Sequence, residues 1–165
     1  MSRAFVNEDN AAAQASQPVE RQISDLPNYV TTSGLAQLHA QVTTLQAQYS
    51  EESAAVDGGD KQRLADIERD LRYFNQRVLS AQVVARAVST DNVQIGSRIT
   101  FADEHNDEHR VQLVGEDQAD AASGLINWAS PLGKALLGAH VGDEATWKRP
   151  AGDQVIEVLR IDADV

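Results

Sequence analysis

The chain has 165 residues, no cysteine and a formal net charge of −11 at pH 7. The lack of cysteine excludes disulfides and thiolate metal sites, and the negative charge argues against nucleic-acid binding over the whole surface. No apolar run approaches the roughly 18 residues that span a membrane, and no signal peptide is evident, so we expect a cytoplasmic protein without membrane contacts.

Residues 1–28 are expected to form a disordered tail. Residues 10–17 are rich in Ala, Gln and Ser, they show no apolar periodicity, and Pro18 and Pro27 follow them. A segment of this composition buries too little apolar surface to offset the entropy lost on ordering.

An antiparallel coiled-coil hairpin is predicted over residues 29–88. Thr31 and Asp60 can cap the two helices, and the first helix should run to about Val56. Residues 57–60 read Asp-Gly-Gly-Asp, and two glycines reverse a chain at little steric cost. Apolar residues recur at alternating spacings of three and four, as in an a/d seam: Leu35, Leu38, Val42, Leu45 and Tyr49, then Leu64, Ile67, Leu71, Phe74, Val78 and Ala81.

The predicted tip is acidic. Its carboxylates have two readings: they stabilise a tight turn, with Asp60 as a helix cap and Asp57 as a turn residue, or they assist a metal ion. The candidate residues are Asp57, Asp60, Glu51 and Glu52.

The second helix concentrates positive charge. Such a basic strip is either a solvated flank that balances acidic neighbours or a face for a nucleic-acid strand or an acidic partner. Its members are Lys61, Arg63, Arg69, Arg72 and Arg77.

Residues 92–165 change to the alternating pattern of strands. Strands are predicted at residues 93–95, 99–101, 109–115, 125–129, 145–148 and 155–161. Ser130 and Pro131 are typical of a helix start, and they predict a short helix over residues 132–137. The sum is an α+β module with an antiparallel sheet and one short helix, in which Trp147 alternates with Ala145 as a core residue would.

Short segments of the hairpin and of this module match the pattern of one known family. In the hairpin they are residues 29–31, 34–35, 61–64 and 67–73, and in the module residues 114–117, 126–131, 134–138, 141–143 and 150–152. On these residues the chain resembles, from residue 28 to residue 162, the GreA/GreB family of bacterial transcript-cleavage and elongation factors.

The resemblance implies a coiled-coil arm joined to an FKBP-like domain, and RNA polymerase as the partner. Family members dock at the rim of the secondary channel, and acidic residues at the arm tip help to hold a second Mg²⁺ in the polymerase active site. The resemblance further implies a monomeric protein that is not itself an enzyme. It would have no cofactor of its own, apart from Mg²⁺ shared with the polymerase, and its contact with nascent RNA would be indirect. The polymerase-docking candidates are Asn127, Trp128, Ser130, Pro131 and Lys134.

This sequence departs from the family at the tip. The Gly-Asp-x-x-Glu-Asn motif is missing, and each helix is shorter by roughly one heptad, or about 10 Å of reach. Ala129 also stands where the family has an acidic residue before Ser-Pro. We therefore expect a short-armed, GreB-like variant that modulates elongation or competes with cleavage factors. A true cleavage factor and a coiled-coil protein–protein adaptor are the alternatives.

Overall fold

The computed structural model describes residues 18–164, which group into two units. The first unit holds the described residues up to Leu26 together with Leu38–Ser80, and the second holds Pro27–Gln37 together with the chain from Ala81 onward. Most of the predicted tail, residues 1–17, lies outside the described residues. Within residues 18–164, every helix falls short of the length or apolar character needed to cross a bilayer.

Two helices joined by a tight turn build most of the first unit. Helix α1 spans Thr32–Ser53 and helix α2 spans Lys61–Ser80, with a 3-10 turn at Val56–Gly58 between them. Helix α1 thus ends earlier than predicted. The Val56 side chain is 90% exposed and does not continue the apolar seam. The cause is local: Ala55 is already extended, with ψ 159°, and the three residues after Val56 have positive φ, so the chain leaves the helical conformation before Val56 and does not return to it until α2.

Both predicted helix caps are confirmed. The Thr31 Oγ1 atom accepts a hydrogen bond from the Gly34 amide at 3.0 Å. One Asp60 oxygen accepts from the amides of Gln62 and Arg63 at 2.9 and 3.3 Å. Each cap satisfies amides that have no partner inside the first turn of a helix.

The predicted seam is partly confirmed. Leu38, Leu45 and Ile67 are at most 6% exposed. Later in α2 the buried residues are Tyr73 and Arg77, whereas the predicted seam residues one position further on are only half-buried. The Arg21 guanidinium, 3.9 Å from the centre of the Tyr73 ring, contributes to this shift of the buried face.

The last part of the predicted tail contacts α2. Glu20 pairs with Arg72, and Arg21 lies 3.6 Å from an Asp70 oxygen. Composition alone gave no sign of these contacts, since both partners lie about fifty residues further along the chain.

The second unit is built on a five-stranded sheet. Its strands are β3 (Arg98–Ala102), β4 (Glu108–Val114), β5 (Leu125–Asn127), β6 (Glu144–Trp147) and β7 (Gln154–Asp162). They lie side by side in the order β5-β4-β3-β7-β6, and a short helix, α3 (Pro131–Leu136), follows β5. The predicted α+β class, a helical hairpin followed by a sheet with one short helix, is confirmed.

One face of this sheet and α3 enclose the core. Strict alternation along β7 buries Gln154, Ile156 and Val158 and exposes the residues between them. Trp147 packs against the same core, as the alternation in β6 predicted. The fully buried cluster consists of Val93, Ile99, Phe101, Leu113, Leu132, Leu136, Ile156, Val158 and Ile161.

Two predictions about the sheet are wrong. Residues 93–95 form no strand: the preceding Asn92 makes an isolated bridge to His140, and Gly96, which follows them, has φ +101°. The sheet is also not wholly antiparallel, because β5 pairs with β4 in parallel. The link between those two strands contains two 3-10 turns, Glu116–Gln118 and Ala121–Ser123, and it returns the chain so that both strands run the same way.

A second, smaller sheet contains residues from both ends of the predicted hairpin. Strand β1 (Tyr29–Val30) pairs in parallel with β2 (Gln82–Val83), and both belong to the second unit. Gly115 lies against β1 so closely that a Cβ atom there would be 2.4 Å from the Tyr29 carbonyl oxygen. Residues at both ends of the predicted 29–88 hairpin therefore group with the sheet.

Candidate functional site

The hairpin tip is held by its own acidic residues. Glu52 Oε1 accepts a hydrogen bond from the Asp60 amide at 2.8 Å, and Glu52 Oε2 lies 3.4 Å from Arg63 Nε. Gly59, at φ +79°, approaches the Glu52 carbonyl so closely that a Cβ atom would lie 2.1 Å from that oxygen. The tip is thus a compact turn closed by side chain, backbone and glycine together.

This geometry divides the four predicted tip carboxylates. Asp60 caps α2 and Glu52 closes the turn, and of the four only Glu52 is partly buried, since Glu51, Asp57 and Asp60 are exposed. Within residues 18–164 no three His, Asp or Glu side chains converge as a metal site. A Mg²⁺ ion needs about six oxygen ligands in near-octahedral geometry, so the tip residues do not fit Mg²⁺ as a site of their own.

The basic strip near the tip is engaged in ion pairs within the unit. Arg63 pairs with Glu52, and Arg69 lies 3.6 Å from Asp66 and 3.2 Å from Asp70. These contacts match the reading of the strip as a flank that balances acidic neighbours. Exposed pairs of this kind stabilise a fold by roughly 0–1 kcal/mol.

The remaining strip residues differ in environment. Arg72 forms a two-pronged pair with Glu20, and Arg77 is only 2% exposed. Lys61 is exposed at the start of α2. The five residues therefore do not form one continuous basic surface.

A single turn in the second unit brings the docking candidates together. The Asn127 carbonyl accepts hydrogen bonds from the Ser130 amide at 3.0 Å and from Ser130 Oγ at 2.7 Å. Ser130 Oγ in turn accepts from the Gly133 amide at 3.1 Å, which caps α3 as predicted, with Pro131 at its first position. Pro131 and Lys134 are left exposed on the outer side of this turn.

Trp128 belongs to this turn but also contacts the start of the second unit. Its amide donates to the Val114 carbonyl at 3.0 Å, and its ring lies 5.3 Å from that of Tyr29 at a tilt of 59°. The side chain is partly buried, so it anchors the turn and leaves part of its surface accessible to solvent. Aromatic residues of this kind supply much of the energy of many protein interfaces.

Two shallow depressions flank the turn. One, of about 350 Å³, is mostly apolar and is lined by residues that include Ile126, Pro131 and Trp147. The other, of about 440 Å³, is bordered by Lys134 and Lys148. The surface around the Ser-Pro turn therefore combines apolar hollows with positive charge in a chain of net charge −11.

Sequence reasoning missed several residues that shape these sites. Gln118 accepts a hydrogen bond from Thr31 Oγ1 at 2.6 Å and so ties the start of α1 to the loop after β4. Glu20 and Arg21 contact α2 from outside the predicted hairpin. No local pattern marks these residues, because each acts on a partner more than forty positions away.

Comparisons with known proteins identify relatives. A family model described as "Transcription elongation factor, GreA/GreB, C-term" matches residues 88–163. Transcription elongation factor GreB of Neisseria meningitidis serogroup B is 34% identical over 104 residues, which cover 62% of this chain and 64% of that protein. The match thus spans slightly less than two thirds of that relative. GreA of Rhodospirillum rubrum is 32% identical over 149 residues, covering 80% of this chain and 95% of that protein.

Among solved structures, GreA factor homolog 1 (Gfh1) of Thermus thermophilus is similar. It is 22% identical, with coverage of 82% of this chain and 99% of that one, and the TM-score is 0.40.

Proposed function

This chain belongs to the GreA/GreB family of transcription elongation factors, and from that premise we propose that it binds bacterial RNA polymerase in the cytoplasm. In this proposal the second unit docks at the rim of the secondary channel and the helical hairpin enters the channel. The factor is not itself an enzyme. It modulates elongation by occupying the channel and by competing with cleavage factors.

The observation that carries this proposal is that carboxylates at the tip hold the turn of the hairpin together. Both oxygens of Glu52 and one oxygen of Asp60 are engaged in contacts that hold the turn, which leaves fewer carboxylate oxygens at the tip for a metal ion. A factor that assists Mg²⁺ must lend carboxylate oxygens at roughly 2.1 Å from the ion. Occupancy of the channel requires no such ligand.

Helix length supports the same reading. Residues 38–53, the part of α1 that belongs to the first unit, extend about 24 Å at 1.5 Å per residue. The sequence comparison with the family's longer arm predicts a deficit of roughly one heptad, about 10 Å. A difference of that size separates a tip that reaches an active-site metal from one that stops short.

The Ser-Pro turn is our choice for the docking surface. It presents Pro131, Lys134 and part of the Trp128 side chain beside two shallow depressions. An aromatic anchor beside apolar hollows and a cationic rim suits a partner surface with an apolar centre and acidic flanks.

A transcript-cleavage assay on backtracked elongation complexes tests the mechanism. We expect no acceleration of RNA shortening by this chain, and slower shortening when it is added against a long-armed cleavage factor. Rapid shortening that is lost in the double variant Asp57→Asn, Glu51→Gln would instead establish the cleavage mechanism.

Docking is tested separately by a polymerase pull-down with a matched pair of charge variants. Lys134→Ala should weaken recovery of polymerase, because it removes the cation from the turn. Arg160→Ala removes one positive charge from β7, outside the turn, and should leave recovery unchanged. Recovery of another coiled-coil protein without polymerase subunits would favour the adaptor alternative.

A further inference from the structure

Strand β6 forms a free edge of the five-stranded sheet. It pairs with β7 on one side, and in the described part of the chain no strand lies on its other side. In an antiparallel pair, alternate residues turn their N–H and C=O groups away from the partner strand. Among residues 18–164, no backbone hydrogen bond joins β6 to any segment other than β7. These outward groups are therefore free to pair with an added strand.

A hollow of about 440 Å³ lies beside this edge. Thr146 and Lys148 line it from the strand, and residues of the Ser-Pro turn and of α3, Lys134 among them, line it from the helix side. Thr146 is exposed, whereas its neighbours Ala145 and Trp147 pack against the core. A strand residue that faces away from the core shares a hollow with α3 only where the rim of the sheet is open. We call this hollow the edge groove.

The edge groove is cationic in an acidic chain. Its six lining residues include Lys134 and Lys148 and no acid, whereas the whole chain carries −11. Both lysines are exposed, and within residues 18–164 neither forms an ion pair or a hydrogen bond. The neighbouring Arg149, by contrast, donates from Nη1 to Gln154 Oε1 at 2.9 Å and lies 5.1 Å from the centre of the Trp147 ring. The two lysines are thus left to attract a partner that carries carboxylates.

An extended acidic polypeptide matches both features of the edge groove, the open strand and the two lysines. The backbone of a helix is already hydrogen-bonded within itself, so a helix would leave the outward groups of β6 unpaired. A nucleic-acid strand has no repeating N–H and C=O groups to pair with β6, and no aromatic ring lines the groove for a base to stack on. The small side chains of Ala129 and Ala135 leave room for the side chains of an added strand.

We propose that the edge groove binds an extended acidic segment of a partner protein, which joins the sheet beside β6 and places carboxylates against Lys134 and Lys148. Backbone pairing then supplies affinity, and the lysines select for acidic side chains. Because Lys134 also belongs to the docking surface, the inference rests in part on the proposed function: it names the kind of polymerase segment that this surface takes.

The test measures binding of a fluorescent peptide, Val-Glu-Val-Glu-Val, to the full chain by anisotropy at low salt. Lys134→Gln and Lys148→Gln should each weaken binding about twofold to fivefold, because each removes one exposed charge pair with the peptide. Lys61→Gln is the matched control, since it removes the one other lysine of the chain, which lies in α2 and outside the groove. It should leave the affinity unchanged.

Two N-methylated versions of the peptide test the added strand. Alternate residues of a strand direct their N–H groups to the same side, so methylation of the valine amides and methylation of the glutamate amides block opposite edges. One version should bind about tenfold more weakly, because it loses two or more hydrogen bonds. The other version should bind like the parent peptide. Hydrogen exchange of alternate amides in β6 should also slow when the parent peptide binds.

Several results would overturn the proposal. Equal losses from Lys61→Gln and Lys148→Gln would indicate a general charge effect, and equal binding of both N-methylated peptides would exclude strand addition. Competition by oligothymidylate as strong as that by the unlabelled peptide would assign the lysines to anions in general. Absence of peptide binding would mean that the lysines only protect the edge from pairing.

The peptide assay contains no polymerase, so the two proposals fail separately. Peptide binding without recovery of polymerase in the pull-down would refute the proposed function and keep the groove. Recovery of polymerase without peptide binding would keep the proposed function and refute the groove.

Discussion

Substitution of Gly133 by alanine tests the packing on which the Ser-Pro turn depends. A Cβ atom at this position would lie 2.2 Å from the Asn127 carbonyl oxygen and 2.7 Å from that of Trp128. Neither obstacle can move easily. The Asn127 carbonyl accepts two hydrogen bonds from Ser130, and the Trp128 amide is bonded to the Val114 carbonyl in the adjacent strand.

The magnitude follows from two opposing effects. Forcing one extra carbon into a packed site costs about 1–3 kcal/mol, and a clash with backbone belongs at the upper end of that range. Alanine is the better helix former by about 1 kcal/mol, which offsets part of the cost. We therefore expect a net loss of about 2 kcal/mol in the free energy of unfolding of the second unit, and a fall in its melting temperature of about 10 °C.

Urea unfolding followed by tryptophan fluorescence is the assay. Both tryptophans of the chain, Trp128 and Trp147, lie in the second unit, so the signal reports that unit alone. Gly138→Ala is the control, because its Cβ would have open space but its φ is +82°, which costs an alanine about 1 kcal/mol. If Gly133→Ala loses no more stability than this control, the close approach of α3 to the turn is not a constraint.

Two further predictions concern the hairpin. Asp60→Ala should lower the stability of the first unit by about 1 kcal/mol through loss of the α2 cap, measured by thermal melting of the helical circular dichroism. An equal loss in Asp57→Asn would contradict the assignment of the cap. The hydrogen bond to Glu68 raises the pKa of Tyr49. This bond therefore stabilises the folded hairpin below the ordinary tyrosine pKa, and the stabilisation is lost as the pH rises through the raised pKa of Tyr49. Glu68→Gln should shift the Tyr49 transition in tyrosinate absorbance to lower pH; identical titrations would refute the bond.

Local chemistry in the sequence determined where most elements begin and how each is built. The caps at Thr31, Asp60 and Ser130 were predictable because a capping side chain bonds to amides only two or three residues away. Apolar spacing likewise predicted both helices of the hairpin, and alternation predicted the strands that form the core. The docking candidates around Ser130 and Pro131 come together for the same reason, since they belong to one short turn.

Tertiary structure alone decided which of these groups remain available for function. Glu52 looked like any other acid near the tip, but its bond to the Asp60 amide depends on how the chain folds back eight residues later. The parallel pairing of β5, the contact of Tyr29 with Trp128 and the attachment of Glu20 to Arg72 are of the same kind. The periodicity of a sequence reflects the local preferences of neighbouring residues. Contacts between distant segments depend instead on how the whole chain packs its apolar faces and pairs its polar groups.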